Sequence, residues 1–413
     1  MLLFLRRPRL AVLLGAASLS AAGVAWAGPV PPFAALLAQA RASSPRLAVA
    51  EAEIDQAQGL ARQAGARPNP VIGLEVENFA GSGPYQGLDL SETTASVAQT
   101  LELGGKRSTR IEAGRAGVRA AQARGAAARA EFASQLAVAY AEAEAAAAKV
   151  AQAEETLAAA ESDARTAREL VDAGREAELR ALQAAAERDA ALAEREEAVA
   201  SRTAAFLRLS TLAGVADVYD SVGESLLSRP VSAVDAGPPE TPAVLAARAE
   251  RDAASARVRV EGRKGVPDVT VSAGLRRFAG DDATAVVAGV SVPLPLFDKN
   301  RGATQAARAE VSGAEARLRQ AELEATADLR SAQAQARSAQ ARVAAASAGE
   351  TAASEAYRLA RIGYEAGRIP LVEVTNARRA LAAARVRTLD ARLAQVRAEA
   401  DIARLTGRTP FGG

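Results

Sequence analysis

A mainly α-helical fold with a small β part is what the sequence predicts, built as two tandem repeats of long coiled-coil helices with one strand pair in each. Three observations predict it. The 413-residue chain is 49% hydrophobic but only 3% aromatic, because most of its apolar content is alanine, which loses little entropy in a helix and lets helices approach closely. No proline falls between Tyr85 and Arg229 or between Leu296 and Ile369, and extended helices need such runs. One register of similarity holds at an offset of 193 residues: Lys106 answers to Lys299, Ala173-Gly174-Arg175 to Ala366-Gly367-Arg368, and Leu212 and Gly214 to Leu405 and Gly407. A unit written twice at constant spacing marks a duplication.

The N-terminus reads as a secretory signal over residues 1–27. Arg6, Arg7 and Arg9 precede an apolar run from Leu10 to Val24, and Ala25-Trp26-Ala27 offers an A-x-A cleavage site; an uncleaved anchor is the alternative. Cleavage removes three of the 51 basic residues, leaving 48 against 49 acidic ones, so the basic balance of the whole chain implies no nucleic-acid partner. No later run of apolar residues is long enough for a spanning helix, so any membrane crossing by the mature chain needs strands.

The first repeat covers 28–214. It opens with a helix over roughly 33–65, followed by a strand pair over about 71–103. In the first strand Ile72, Leu74 and Val76 alternate with Gly73, Glu75 and Glu77; in its partner Val97, Leu101 and Leu103 share a face. A long helix follows over 105 to about 172, some 100 Å at ~1.5 Å per residue. Its seam of Leu136, Ala139, Ala143, Ala146, Val150, Ala153, Leu157 and Ala160 steps by threes and fours. A glycine-marked turn at Gly174 leads to the return helix. Residues 215–241, rich in Pro, Gly and Ser, read as an inter-repeat linker with little regular structure. The second repeat, 242–413, has the same order: a helix over 242–263, a strand pair over about 268–296, and a long helical hairpin. Val269, Val271 and Leu275 alternate with polar residues, as do Val286, Val290 and Val292, while Val311, Ala314, Leu318, Ala321 and Ala325 repeat the heptad pattern.

Strands of this length and alternation fit tilted strands of an outer-membrane barrel and equally fit soluble hairpins lying on other β-structure. Four strands cannot close a barrel in one chain, and an open edge in lipid is forbidden. Membrane insertion would therefore demand oligomerisation. Phe79, Tyr85 and Phe278 stand near strand ends, where interfacial aromatics belong.

Chemistry-bearing residues are few. The chain has no cysteine and no histidine, which removes disulfides, thiolate ligands, thiol catalysis and the commonest general base and metal ligand. Catalysis would have to rest on carboxylates, Lys, Ser or Tyr, and the acids sit beside Arg as on solvated helix faces. No catalytic residue, cofactor site or metal site is expected.

The segment Gln99-Thr100-Leu101-Glu102-Leu103-Gly104-Gly105-Lys106-Arg107 resembles the strand-to-helix junction of the TolC, or outer-membrane-factor, family in its CzcC-like branch. Pro293-Leu294-Pro295-Leu296-Phe297-Asp298-Lys299-Asn300-Arg301-Gly302 resembles the matching junction of the second repeat. The similarity runs over about 33–408. It implies a homotrimer in the outer membrane, extending into the periplasm, with a 12-stranded β-barrel on an α-helical barrel. Such a duct serves a resistance–nodulation–division (RND) pump of the inner membrane through a periplasmic adaptor, passively, and the branch implies heavy-metal cations as cargo; drugs or other solutes are the alternative. The turns at Gly174 and Arg175 and at Gly367 and Arg368 would be the adaptor-docking tips, where the residues alone require only a helical-hairpin turn. Glu373 and Asn376 match the stretch that closes the family's tunnel mouth. Asn376 departs from the acidic pattern, and by itself Glu373 reads as a solvated helix residue. A periplasmic adaptor has one coiled-coil hairpin among many strands, and a coiled-coil scaffold leaves the alternating strands unexplained.

Overall fold

The computed structural model describes residues 28–230, 240–366 and 368–411; the signal segment and Gly367 lie outside them. The order is β1 (Pro29–Val30), α1 (Phe33–Ser43), α2 (Pro45–Ala64), β2 (Val71–Glu77), β3 (Glu92–Leu101), α3 (Lys106–Asp172), α4 (Glu178–Ala213), β4 (Ser221–Val222), α5 (Pro242–Lys264), β5 (Val269–Phe278), β6 (Ala283–Ser291), α6 (Arg301–Glu365) and α7 (Leu371–Thr406). The 193-residue offset reappears in the helix bounds: α3 and α6 end at Asp172 and Glu365, and α4 and α7 begin and end in register. Both return helices close on a left-handed glycine, Gly214 at φ 70° and Gly407 at φ 69°.

The helix expected over 33–65 is two helices. Ser44 is held extended (φ −71°, ψ 120°) by the proline that follows, and Pro45 opens α2 at its first position. The break turns α1 inward, where Phe33, Leu36, Leu37 and Ala40 are buried. They join Leu136 and Tyr140 of α3 and Phe206 and Leu209 of α4 in the main core, with the Phe33 ring edge-on to Tyr140 at 6.0 Å.

The inter-repeat segment is also less loose than its composition predicts. Ser221–Val222 pairs in parallel with Pro29–Val30, and Tyr219, Leu226 and Leu227 are buried. Glu144 accepts hydrogen bonds from the amides of Leu226 (2.8 Å) and Leu227 (3.3 Å), which supplies buried backbone donors with a charged acceptor. The Tyr140 hydroxyl donates to the Glu224 carbonyl at 2.8 Å, and burial pushes its pKa up to about 12.

Beyond that core the helices pack on alanine. Of the expected seam in α3, Leu136, Ala139, Ala143, Val150 and Ala160 are buried; α6 buries Ala307, Ala314, Ala325, Ala332 and Ala339 around Leu329. Small side chains give close approach with little buried area, and charge supplements it. Between α3 and α7, antiparallel and from different repeats, Asp163 meets Arg378 (2.6 Å), Glu155 meets Arg385 (2.7 Å), Lys149 meets Asp390 (2.8 Å) and Glu142 meets Arg397 (2.8 Å). These acids are therefore not merely solvated partners of arginines on their own helix.

The four long strands form one antiparallel sheet, in the order β2-β3-β5-β6. The repeats meet at β3 and β5, from Glu92 opposite Phe278 to Leu101 opposite Val269. Ile72 faces Val97, Val271 faces Val290 and Leu275 faces Val286, so the predicted apolar stripes form one face. That face is open: Ile72 is 83% exposed, Val286 79%, and Leu74 and Val290 72% each. The other face carries Glu77, Thr94, Ser96, Thr100, Ser272 and Arg276, with Arg276 bound to Glu92 at 2.9 Å and Glu77 at 3.0 Å. β2 and β6 are the sheet's edges.

Candidate functional site

The geometry divides into strand-to-helix junctions, hairpin tips and the stretch just past the second tip. At the first junction Gly104 and Gly105 both take left-handed conformations, φ 66° and 74°, which reverse the chain between β3 and α3 where a β-carbon would be strained. Gly104 is also sterically required, since a Cβ there would lie 2.8 Å from Val266. Lys106 pairs with Asp268 at 2.8 Å, and the same carboxylate accepts from the Leu103 amide at 3.2 Å. Glu102 and Arg110 form a two-pronged pair, whose hydrogen bonds hold the Arg110 guanidinium above its ordinary pKa.

The second junction is built differently. Pro293 and Pro295 follow the last residue of β6, where a missing N–H costs no ladder bond. Asp298 accepts from the Asn300 amide at 2.8 Å. Asn300, left-handed at φ 55°, caps α6 and donates to both the carbonyl and the carboxylate of Glu261 at 2.8 Å. Hydrogen bonds from Lys264 and Asn300 hold Glu261 below the usual carboxylate range. Lys299, the counterpart of Lys106, is exposed and makes no ion pair among the described residues. Sequence equivalence there did not carry over into an equivalent contact within the chain.

At the tips the two turns share one closing hydrogen bond. Gly174 is left-handed at φ 68°, its amide donating to Val171 (2.9 Å) while the Arg175 amide donates to Leu170 (2.8 Å). This is a Schellman closure. In the second repeat the Arg368 amide donates to Gly363 at 2.8 Å, the same bond at the 193 offset. A Cβ on Gly363 would come within 2.5 Å of the Ile369 side chain, which would have to shift.

Pro370 opens α7, and the Glu373 amide donates to its carbonyl at 3.1 Å. Glu373 and Asn376 are exposed and line one shallow groove with Leu359 and Ile369. A carboxylate in the first turn is favoured by the helix dipole. Arg378 and Arg379, just beyond, tie this end of α7 to Asp163 of α3 and Glu187 of α4, at 2.6 and 2.5 Å. The repeat offset pointed to the tips and junctions, but nothing in the sequence singled out Asp268 or Glu144, whose partners are distant along the chain.

Comparison with known proteins agrees with this architecture. A model of the outer membrane efflux protein family matches residues 36–215 and 239–408. The nickel-cobalt-cadmium resistance protein NccC of Alcaligenes xylosoxydans xylosoxydans is 43% identical over 95% of this chain and 90% of its own length. The nickel and cobalt resistance protein CnrC of Cupriavidus metallidurans is 44% identical over 79% of this chain and 78% of its own. The open-state MtrE outer membrane channel of Neisseria gonorrhoeae has the same fold, with a TM-score of 0.75 at 20% identity over 92% of this chain and 89% of its own. Two matched segments, one per repeat, and relatives aligned over most of their length leave one reading: this chain belongs to the outer membrane efflux protein family.

Proposed function

We propose that three copies of this chain form the passive exit duct of a tripartite efflux system that carries divalent metal cations across the outer membrane. The observation that supports it most is the sheet: four strands, one face of bare Ile, Leu and Val, and two unpaired edges, standing at the end of α-helices of 67 and 65 residues. Such a sheet suits lipid only when further copies close it into a barrel. Three copies would supply the 12 strands, and the helices would continue the wall into the periplasm. The tips at Gly174, Arg175, Gly367 and Arg368 are the places for a periplasmic adaptor, and an inner-membrane RND pump supplies the energy. Glu373 and Asn376 would ring the tunnel mouth.

The cargo follows from the relatives, named for resistance to nickel, cobalt and cadmium. With neither His nor Cys in the chain, this reading gives metal selection to pump and adaptor. Deletion of the gene, followed by challenge with nickel, cobalt, cadmium and zinc and separately with dyes and antibiotics, tests it. Metal sensitivity reversed by the restored gene is expected. Sensitivity to dyes and antibiotics alone would reassign the duct to drugs.

A further inference from the structure

We propose that Arg276 is a tethered counter-ion in the bore of the duct. Its guanidinium occupies the place between Glu77 and Glu92 that a passing divalent cation would otherwise take, so that cargo leaves without being captured. The proposal rests on the duct proposed above and names the residue that keeps its exit free of bound metal.

With the apolar face of the sheet toward lipid, the opposite face lines the bore. Charge on that face is confined to one end. The register puts Glu75, Thr94 and Arg276 in one row and Glu77, Glu92 and Phe278 in the next, beside the turns that join β2 to β3 and β5 to β6. Every other inward position on the four strands is Gly, Ala, Ser, Thr or Val. Arg276 is therefore the one cation among three carboxylates on this wall. Glu77 and Glu92 stand directly opposite each other on neighbouring strands, where like charges repel across a β-carbon separation of ~5 Å. All three guanidinium nitrogens of Arg276 are engaged there. Nε donates to the Thr94 hydroxyl at 2.9 Å, Nη1 donates to Glu92 at 2.9 Å, and Nη2 meets Glu77 at 3.0 Å. Glu77 Oε2 is buried and accepts no hydrogen bond, so charge alone holds it to the guanidinium. The other oxygen of Glu92 accepts from Asn78 at 3.3 Å. Glu75 is exposed and makes no ion pair among the described residues.

The balance of charge is what gives this arrangement a function. Two opposed carboxylates, with a third one step along the strand, are an oxygen donor set of the kind divalent cations take. A neutral side chain at 276 would leave that set open in every copy. An open set is a trap, because conduction requires that an ion bind weakly enough to leave again. A guanidinium keeps its proton at any working pH and has no acceptor, so it neither vacates the place nor binds metal itself. One positive charge against three negative ones still leaves the wall attractive to cations, while the two carboxylates set closest together are already neutralised in part. A brace that merely aligned the strands would fit the same distances, but its loss would not change how the bore responds to metal.

Single-channel currents of the full-length protein in planar bilayers separate the two roles. Ni2+, which binds a given oxygen site more tightly than Mn2+ or Co2+, is added on the side of the strand turns. Wild type is compared with Arg276→Gln and with the triple variant Arg276→Gln/Glu77→Gln/Glu92→Gln. Arg276→Gln is expected to be blocked at a several-fold lower Ni2+ concentration than wild type, and the triple variant to return to wild-type sensitivity. Block at Glu373 is common to all three channels and cancels in the comparison. Conducting Arg276→Gln channels with wild-type sensitivity overturn the proposal. Should that variant fail to insert, Glu77→Gln/Glu92→Gln with Arg276 intact decides instead. A Ni2+ block of wild type that this pair of substitutions relieves would show that the guanidinium does not keep metal out, and overturns the proposal; equal sensitivity supports it. No channel activity from wild type overturns the duct itself.

Discussion

Arg378 of α7 reaches across the repeat boundary to Asp163 of α3, Nη2 to Oδ2 at 2.6 Å. It is one of five ion pairs among the described residues that cross between these helices, from Glu131 with Arg404 at one end to Asp163 with Arg378 at the other. Where alanine seams bury little apolar area, such a series specifies which face of α7 meets α3.

Each pair, half-exposed, is worth about 0.2–1 kcal/mol. Asp163→Arg or Arg378→Asp alone should lower the unfolding midpoint of the detergent-solubilised protein, and the double swap should recover most of the loss. Additive losses in the double-mutant cycle would show that the two residues are not coupled.

Gly104 meets two independent demands, a left-handed φ of 66° and the closeness of Val266. Gly104→Ala should destabilise by about 2–4 kcal/mol, combining the conformational cost with overpacking. Val266→Ala added to it should recover the steric share only. Full recovery in thermal melts would mean that the backbone conformation is not constrained there.

Glu399 makes stability depend on acidity. Burial raises its pKa, against the Gln395 hydrogen bond at 2.9 Å and the charge of Arg229. A raised value means that the folded state holds the proton more tightly than the unfolded one. This contribution is therefore complete below the ordinary carboxylate range and is lost as pH rises through the folded-state value. Glu399→Gln should flatten the stability profile as pH rises above the ordinary carboxylate range and should not weaken the protein at neutral pH. A large loss confined to neutral pH would contradict the sign.

At the mouth, three Glu373 carboxylates facing one lumen would favour cations. Glu373→Ala should move the reversal potential of planar-bilayer channels toward zero in a salt gradient, and Asn376→Asp should move it the other way. Unchanged values in both variants would remove these residues from the conduction path.

Much of this was open to reading along the chain. The lengths of the long helices, the turn at Gly174, the alternation of Ile72, Leu74 and Val76 and the duplication all come from local periodicity and punctuation, which the backbone obeys within a few residues. The junction motifs at Gly104 and Pro293 carried the family resemblance for the same reason. Tertiary structure alone decided what depends on distant partners. It broke the first helix so that Phe33 could reach Tyr140, drew Leu226 and Leu227 under Glu144, joined the hairpins at β3 and β5, and gave Lys106 an ion pair with Asp268 that Lys299 does not have among the described residues. Periodicity states which face of a segment is apolar; only packing in space determines which other segment that face will meet.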